Sequence, residues 1–270
     1  MKIQRPGPLA VALALLVGAF LLLPLLAVVP VSFTSSRMLA LPQGSLSLNH
    51  YRQLIDNPDW LNAILLSARI GLLTSLISTT LATSFALGIW MLQPRFSQVL
   101  VGFVLLPMIV PPVVSAMTLY FLLTGMSQVS QAIGFDSVTG VTMAHIVMTV
   151  PFAVVMVLVA LAQVDRRIDL AARGLGASVS QRIFRVILPN IGFGVATAAL
   201  LVFILSWEEI GVTLFITSVD AITLPRLMWM GLRDNIDPAI AAISVVLIVI
   251  TTLVLLTRMA FQRRPEFEEE

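Results

Sequence analysis

Six long stretches of this chain consist almost entirely of apolar residues, and shorter polar segments separate them. Each stretch is close to or above the roughly 20 residues that a helix needs to cross a bilayer. The stretches are residues 9–33, 61–92, 98–124, 139–163, 191–217 and 239–257. The pattern predicts an all-α polytopic membrane protein whose six transmembrane helices form a single transmembrane domain, residues 1–270.

The composition agrees with a membrane protein and excludes several other classes. Hydrophobic residues make up 58% of the chain and charged residues 11%, with a mean hydropathy of +0.99. A soluble domain carries about 25% charged residues, so a soluble enzyme, a nucleic-acid-binding protein and a disordered regulator are excluded. The absence of cysteine excludes disulfides and thiolate metal sites, and Lys2 is the only lysine. The body of the chain therefore has no Walker A lysine, and we expect no metal, cofactor or catalytic site in it.

The basic residues predict the orientation of the six helices. If the N-terminus lies inside, eleven basic residues fall in the inner segments and four in the outer loops. Lys and Arg concentrate in the cytoplasmic loops of membrane proteins. The chain is therefore predicted to have both termini inside, and residues 164–190 become a long cytoplasmic loop between helices four and five.

The predicted cytoplasmic loop carries helix signals. Residues 169–175 favour a short helix, and Gly176 directly after them is a natural helix end. Ser178 and Gln181 fit a capping box, which begins a second short helix. This arrangement predicts a two-helix element on which another protein docks; an amphipathic surface hairpin without a partner is the alternative.

The second short helix is predicted to run through Leu188 and to end at Pro189, because proline interrupts a helix. Its apolar residues are expected to form one face, with Arg182 and Arg185 on the other side.

The loop resembles the EAA loop of the permease subunits of ABC importers. That motif reads Glu-Ala-Ala, three residues, Gly, nine residues and Ile-x-Leu-Pro, and residues 170–176 and 186–189 match its spacing. Leu170 stands where the family has Glu, and Val186 stands where it has Ile. Asp169, one residue earlier, is the candidate for the missing acid.

Further residues resemble the second permease subunit of polyamine importers. Those permeases show Ser-aromatic-Asp-Asp, then Leu-Pro in an outer loop, then an Asn-Pro-Glu-like start of the last helix. The matching residues here are 206–209, 224–225, 235–238 and 241–242, with glutamates replacing the paired aspartates. Permeases for ferric iron, aminophosphonates and amino acid derivatives share much of this pattern, so these solutes remain alternatives.

The resemblance implies a type I ABC importer permease in the bacterial inner membrane. Its implied partners are a second, different permease, two ATPase subunits that bind ATP and Mg²⁺, and an extracytoplasmic binding protein. The loop would sit in a groove of the ATPase and transmit its closure to the helices. The implied coupling residues are Asp169, Leu170, Ala171, Ala172, Arg173, Gly176, Ala177, Leu188 and Pro189.

Ionisable residues inside the apolar stretches point to a solute site. Charged side chains in a bilayer usually face a partner or a water-filled path. Arg69, Glu208 and Glu209 all fall in the outer part of the predicted membrane, at a rise of about 1.5 Å per residue. We expect one glutamate to face the path of a cationic solute, the other to pair with Arg69, and Trp207 to offer a cation–π surface. The alternative is a structural Arg–Glu clamp.

Pro107, Pro111 and Pro112 interrupt the third stretch, which predicts either a hinge or broken helix that lines the path or a static kink. Two other classes of protein stay open. A secondary transporter would use Arg69 and the glutamates for ion coupling but leaves the loop without a role. An intramembrane serine protease would need His145 and a serine, and Ser206 lacks the usual glycine-rich context.

Overall fold

The computed structural model describes residues 7–36, 40–42, 44–234 and 237–261. This part of the chain is helical and contains no β-strand. In chain order the helices are α1 (Pro8–Ser32), α2 (Asn49–Asp56), α3 (Pro58–Leu92), α4 (Ser97–Ile109), α5 (Pro112–Ser127), α6 (Val138–Ala162), α7 (Arg166–Gly174), α8 (Val179–Gln181), α9 (Leu188–Trp207), α10 (Thr213–Ile216), α11 (Leu224–Asp234) and α12 (Ala239–Phe261).

Backbone contacts divide the chain into two units, Met1–Leu61 with Met228–Glu270, and Asn62–Leu227. In the first unit, α1 and α2 both pack against α12. The Ser32 and Tyr51 hydroxyls lie 2.7 Å apart and join the end of α1 to α2. The Gln53 amide donates to the Asp237 carboxylate at 3.4 Å, just before α12.

The second unit contains the candidate functional residues and is built around α6. Helix α9 packs along α6, α4 packs against α6, and α5 packs against α10. One apolar cluster surrounds the start of α6 and includes Ile70 and Leu123. Another surrounds its end and includes Leu161 and Ile191. These clusters are buried because the apolar faces of neighbouring helices meet there.

Within the described part of the chain, four helices are long and apolar enough to cross a membrane, or five if one bent pair counts as a single span. These helices cover the first, second, fourth and fifth predicted stretches, and the bent pair covers the third. The apolar part of α12 within the described residues, Ala239–Leu253, falls short of the same length criterion. The prediction of six spans is thus met in four or five places.

The third predicted stretch is broken into two helices. Helices α4 and α5 meet at an angle of 97°. Val110 and Pro111 are extended at the break, with ψ near 135° and 133°. A residue before proline avoids the helical region, and neither Pro111 nor Pro112 has an N–H to continue the helix. The break between α4 and α5 is therefore observed, whereas the choice between a path-lining hinge or broken helix and a static kink stays a prediction; Pro107 lies inside α4.

The predicted helix end at Pro189 is wrong. A π-helical turn, Arg182–Ile187, joins α8 to α9, so helix continues from Val179 to Trp207. The wider π turn relieves the requirement for an i→i−4 bond at the proline. The Asn190 side-chain amide also donates to the Val186 carbonyl at 2.7 Å, so a side chain helps to satisfy the backbone of this turn.

The fifth predicted stretch is shorter as a helix than expected, because α9 ends at Trp207. A Glu209 carboxylate oxygen accepts the Val212 N–H at 2.8 Å, and the Thr213 hydroxyl donates to the Glu209 carbonyl at 2.9 Å. Side-chain bonds of this kind compete with the helical ladder. Glu208 and Glu209 therefore lie in a turn between α9 and α10, not inside a continuous helix.

Candidate functional site

The loop between α6 and α9 has the termination signals that its sequence predicts. Gly176 has a φ of +78°, a conformation that glycine adopts without penalty. Its N–H bonds the Arg173 carbonyl, and the Ala177 N–H bonds the Ala172 carbonyl, both at 3.0 Å, which forms a Schellman motif. These bonds turn the chain sharply after α7.

The capping box that begins α8 is confirmed. The Ser178 N–H donates to the Gln181 side-chain oxygen at 2.8 Å, and the Gln181 N–H donates to the Ser178 hydroxyl at 3.3 Å. Two backbone donors at the helix start are thereby satisfied. Together with the Schellman motif, the capping box fixes both sides of the link between α7 and α8.

An ion pair joins α7 to the π turn. Asp169 is buried and accepts from Arg182 at both carboxylate oxygens, at 2.6 Å from Nε and 2.8 Å from Nη2. Arg173 donates to the same carboxylate at 3.0 Å. These hydrogen bonds and the positive charges, those of Arg182 first, hold the pKa of Asp169 below its usual value. We call this cluster the Asp169 clamp.

The Asp169 clamp corrects one expectation of the sequence. Arg182 was expected on the polar side of a surface helix, but its side chain is only 8% exposed. The π turn begins at Arg182 and carries its guanidinium towards α7. Phe184, one of the apolar residues expected to share one face, is exposed, whereas Ile187 is buried.

The predicted coupling residues separate into an outward and an inward group. Leu170, Ala171, Arg173, Gly176 and Pro189 are exposed, Ala172, Ala177 and Leu188 are half-buried, and Asp169 is buried. On α7 and the residue after it, one exposed face repeats at positions i, i+3, i+4, i+7 and i+8. We call it the α7 face; its residues are Arg167, Leu170, Ala171, Gly174 and Leu175.

The glutamate pair after α9 is divided between two roles. Glu209 is half-buried and caps the turn through Val212, whereas Glu208 is exposed and forms no ion pair within the described residues. The Trp207 ring is half-buried, with its centroid 5.8 Å from that of Phe203.

Arg69 lies apart from both glutamates. It is exposed on α3, and within the described part of the chain it pairs with neither Glu208 nor Glu209. The expected Arg–Glu pair is therefore absent from the structure.

His145 is a buried packing residue. Its Nδ1 lies 2.8 Å from the Ser206 hydroxyl, and its Nε2 lies 3.1 Å from the Thr213 hydroxyl. Both ring nitrogens are thus satisfied, and no carboxylate orients the imidazole as a hydrolytic triad requires. The Ser206–His145 contact ties α6, α9 and α10 together.

Asp136 is a structural residue that the sequence did not reveal. It lies between α5 and α6 with a φ of +57°. Its carboxylate accepts four consecutive backbone N–H groups, from Ser218 to Ala221, at 2.7–3.1 Å. Arg226 donates to Thr217 and to the Ser218 carbonyl from the other side. These bonds fix the loop after α10; a lone aspartate gives no recognisable motif.

The fold resembles that of an importer permease. The structure of a bacterial ABC transporter involved in the import of the acidic polysaccharide alginate has a chain with a TM-score of 0.67 to this one. The match covers 94% of this chain and 95% of that chain, at 17% sequence identity. At this identity the likeness establishes the fold, which is that of an ABC importer permease.

The chain belongs to the family of binding-protein-dependent transport system inner membrane components, whose sequence model matches residues 78–266. It is therefore a permease subunit of an ABC importer in the inner membrane, a transport component and not an enzyme. Asn235 and Ile236, part of the polyamine-permease resemblance, lie outside the described residues.

Relatives with different solutes cover nearly the whole chain. The putrescine transport system permease protein PotI of Escherichia coli strain K12 is 26% identical over 90% of this chain and 86% of its own length. The spermidine/putrescine transport system permease protein PotC of Haemophilus influenzae is 27% identical over 92% and 94%. The trehalose transport system permease protein SugB of Mycobacterium tuberculosis is 28% identical over 98% and 96%.

Proposed function

We propose that this permease forms half of a translocation path for a small, cationic, polyamine-like solute delivered by an extracytoplasmic binding protein. The supporting observation is the position of Glu208, an exposed carboxylate that has no ion-pair partner within the described residues and lies in a break between two apolar helices. An ammonium group is attracted to such a carboxylate, and an unpaired charge in a membrane protein usually lines an aqueous path. The PotI and PotC relatives are named for putrescine and spermidine transport, which agrees with this class of solute.

The path is expected to involve four residues in different roles. Glu208 receives the cation, while Glu209 shapes the turn that presents it. Trp207 offers its ring face to an ammonium group. Arg69 remains a candidate path residue that repels cations from the exposed side of α3. The break at Pro111 and Pro112 supplies the hinge near the path.

The chain is proposed to cross the membrane six times with both termini inside. The bent pair α4–α5 then counts as one broken span and α12 as the sixth. The distribution of basic residues supports this orientation. With both termini inside, the α7 face lies in the cytoplasm, where soluble subunits can reach it.

The α7 face is proposed to dock in a groove of an ATPase subunit. It exposes two leucines beside small residues; Leu170 is 61% exposed and Leu175 is 89% exposed. Exposed apolar groups on a short helix of this kind are typical of protein interfaces. Two ATPase subunits bind ATP and Mg²⁺, and a second, different permease completes the path; this chain holds no cofactor.

The Asp169 clamp is proposed to transmit docking to the helices. Asp169, the candidate for the missing acid of the EAA motif, points into the loop and not towards a partner. Through Arg182 it connects α7 to the continuous helix that ends at Trp207, next to Glu208. A displacement of α7 is therefore expected to move the proposed solute site.

A neutral sugar is the second candidate solute, because SugB is named for trehalose transport and matches nearly the whole chain. Ferric iron, an aminophosphonate or an amino acid derivative are further alternatives. A self-sufficient secondary transporter fits less well, because it gives the α7 face and the Asp169 clamp no role.

Reconstitution with the ATPase, the second permease and a panel of binding proteins tests the proposed function. We expect ATP hydrolysis to rise when a binding protein loaded with putrescine or spermidine is added, and the solute to accumulate in the vesicles. Stimulation by a sugar-loaded protein alone would overturn the cationic solute. Transport without any ATPase would overturn the importer mechanism for this chain.

A further inference from the structure

Helix α3 carries a dense run of hydroxyl groups in an apolar helix. Between residues 67 and 84 there are eight serines and threonines. Most have hydrogen-bond partners: Ser75, for example, donates to the Ala199 carbonyl at 2.6 Å, and Ser78 lies 3.1 Å from the Thr149 hydroxyl. The hydroxyls of Thr79 and Thr83 are buried and have no partner. These two threonines lie one helical turn apart on the same face.

Thr79 and Thr83 line a cavity of about 830 Å³ within the second unit. The cavity lies between the second half of α3 and the segment from Arg173 to Val195. Its walls are otherwise mainly apolar. Arg173 and Arg182 also line it, and among the described residues no carboxylate does. A cavity of this size is large enough for a small organic molecule.

The neighbouring hydroxyls point to a polar occupant. Thr80 and Ser84 line the same cavity, but each donates to a carbonyl of its own helix, at 2.7 and 2.8 Å. Thr79 and Thr83 do not make this bond, although it is the usual way to satisfy a hydroxyl in an apolar helix. Lipid chains cannot pair with them. A buried hydroxyl without a partner is costly. Thr74, Thr124 and Thr223 also have unpaired hydroxyls, but only Thr79 and Thr83 among these line the cavity, where a hydrogen-bonding molecule can reach them.

We propose that Thr79 and Thr83 form a solute-binding station in the translocation path. It takes solutes that present N–H or O–H donors, either ammonium groups or sugar hydroxyls, and it rests on the proposed transport function. Two neutral hydroxyls bind such groups more weakly than the Glu208 carboxylate does. Conduction requires sites weak enough to release the solute, so a station whose contacts are two hydroxyls suits a step after capture at Glu208.

Isosteric substitutions in the assembled complex test the station. Thr79→Val and Thr83→Val together should lower solute uptake at limiting concentration about tenfold, as expected for one or two lost hydrogen bonds. The thermal midpoint of the complex should stay equal or rise, because an unpaired hydroxyl is removed. Thr118→Val and Thr197→Val are matched controls, since each hydroxyl bonds its own helix outside the cavity, and both should transport normally.

Cysteine labelling tests whether solute and water reach the station. The chain has no cysteine, so Thr83→Cys introduces a single thiol. In the assembled complex, we expect a membrane-impermeant cationic methanethiosulfonate to label it, and saturating putrescine or trehalose to protect it. Thr197→Cys, which does not line the cavity, should show no protection. Protection by only one of the two solutes identifies whether the station receives ammonium or sugar hydroxyl groups.

Three results would overturn the station without touching the proposed function. Wild-type uptake by the double valine variant would show that the solute does not contact these hydroxyls. A thiol at position 83 that resists the impermeant reagent but cross-links to the second permease would show that a partner helix fills the cavity. A thiol reached only by a membrane-permeant reagent would show that lipid fills it. By contrast, a wild-type complex that imports no solute would contradict the proposed function itself.

Discussion

The two ends of the continuous helix from Val179 to Trp207 are built in opposite ways. At the first end, the Asp169 clamp and the capping box of Ser178 leave almost no polar group unsatisfied. At the other end, the helix stops at Trp207 and the next residue, Glu208, exposes a carboxylate without a partner within the described residues. Side-chain hydrogen bonds are therefore concentrated in the loop, while an exposed charge stands at the proposed solute site.

Breaking the Asp169 clamp should have the largest effect on stability and coupling. Asp169→Asn removes one partner of a buried ion pair, and such changes cost roughly 3–5 kcal/mol. We expect a lower thermal midpoint of the purified complex and loss of solute-stimulated ATP hydrolysis. Arg185→Gln is the control, because Arg185 lies in the same π turn but is exposed.

A paired replacement sharpens this test. Asp169→Leu with Arg182→Met removes both charges and should recover much of the stability, since well-packed apolar residues often replace a buried pair at little cost. An Asn variant as stable and as well coupled as the wild type would show that the clamp is dispensable.

Replacing His145, which joins α6 to α9, should lower the stability less than replacing Asp169. His145→Ala leaves the buried Ser206 hydroxyl without its partner and removes one of the two bonds of the Thr213 hydroxyl, at a cost of about 1–3 kcal/mol. We expect a lower midpoint but an unchanged order of preference among solutes, measured by competition in uptake assays. A changed preference would place His145 in the path.

Glu208, directly after the end of the helix at Trp207, should affect transport and not stability. Glu208→Gln should lower uptake of a diamine roughly tenfold, the effect of losing one charge-assisted hydrogen bond. Glu209→Gln should stay near wild type, because its amide oxygen still accepts the Val212 N–H. Equal loss in both variants, with normal assembly, would contradict the division of roles between the two glutamates.

Acid should have the smallest effect, a reduced difference in stability between the wild type and Asp169→Asn. The pKa of Asp169 lies below its usual 3.8, mainly because Arg182 bonds the carboxylate. A lowered pKa in the folded state stabilises the protein above the unfolded value, and this stability is lost as the pH falls through the folded value. The difference in midpoint between wild type and Asp169→Asn should therefore be constant near neutral pH and shrink below about pH 4. A constant difference down to pH 2 would contradict the assigned shift.

Local signals predicted much of the fold. Long runs of apolar residues predicted α1, α3, α6 and most of α9, because a helix that crosses a bilayer needs mainly apolar residues over its length. Gly176 and the capping box at Ser178 located the turn of the loop, since both act through bonds over only a few residues.

Long-range contacts account for what the sequence missed. Pro189 predicts a helix end, but the π turn before it keeps the helix continuous. Arg182 in that turn pairs with Asp169, which lies thirteen positions earlier in the chain. The Asp136 carboxylate meets backbone groups more than eighty positions away. Contacts of this kind depend on packing that no local pattern encodes.

Cross-linking from the α7 face tests whether this surface docks on an ATPase subunit. Ala171→Cys places a single thiol on this face, at an exposed position of the cysteine-free chain. In intact cells, we expect a bifunctional thiol reagent to capture an ATPase subunit, with a yield that changes when ATP hydrolysis is blocked. Active transport by a complex in which the position 171 thiol never cross-links to an ATPase would contradict the proposed docking of the α7 face.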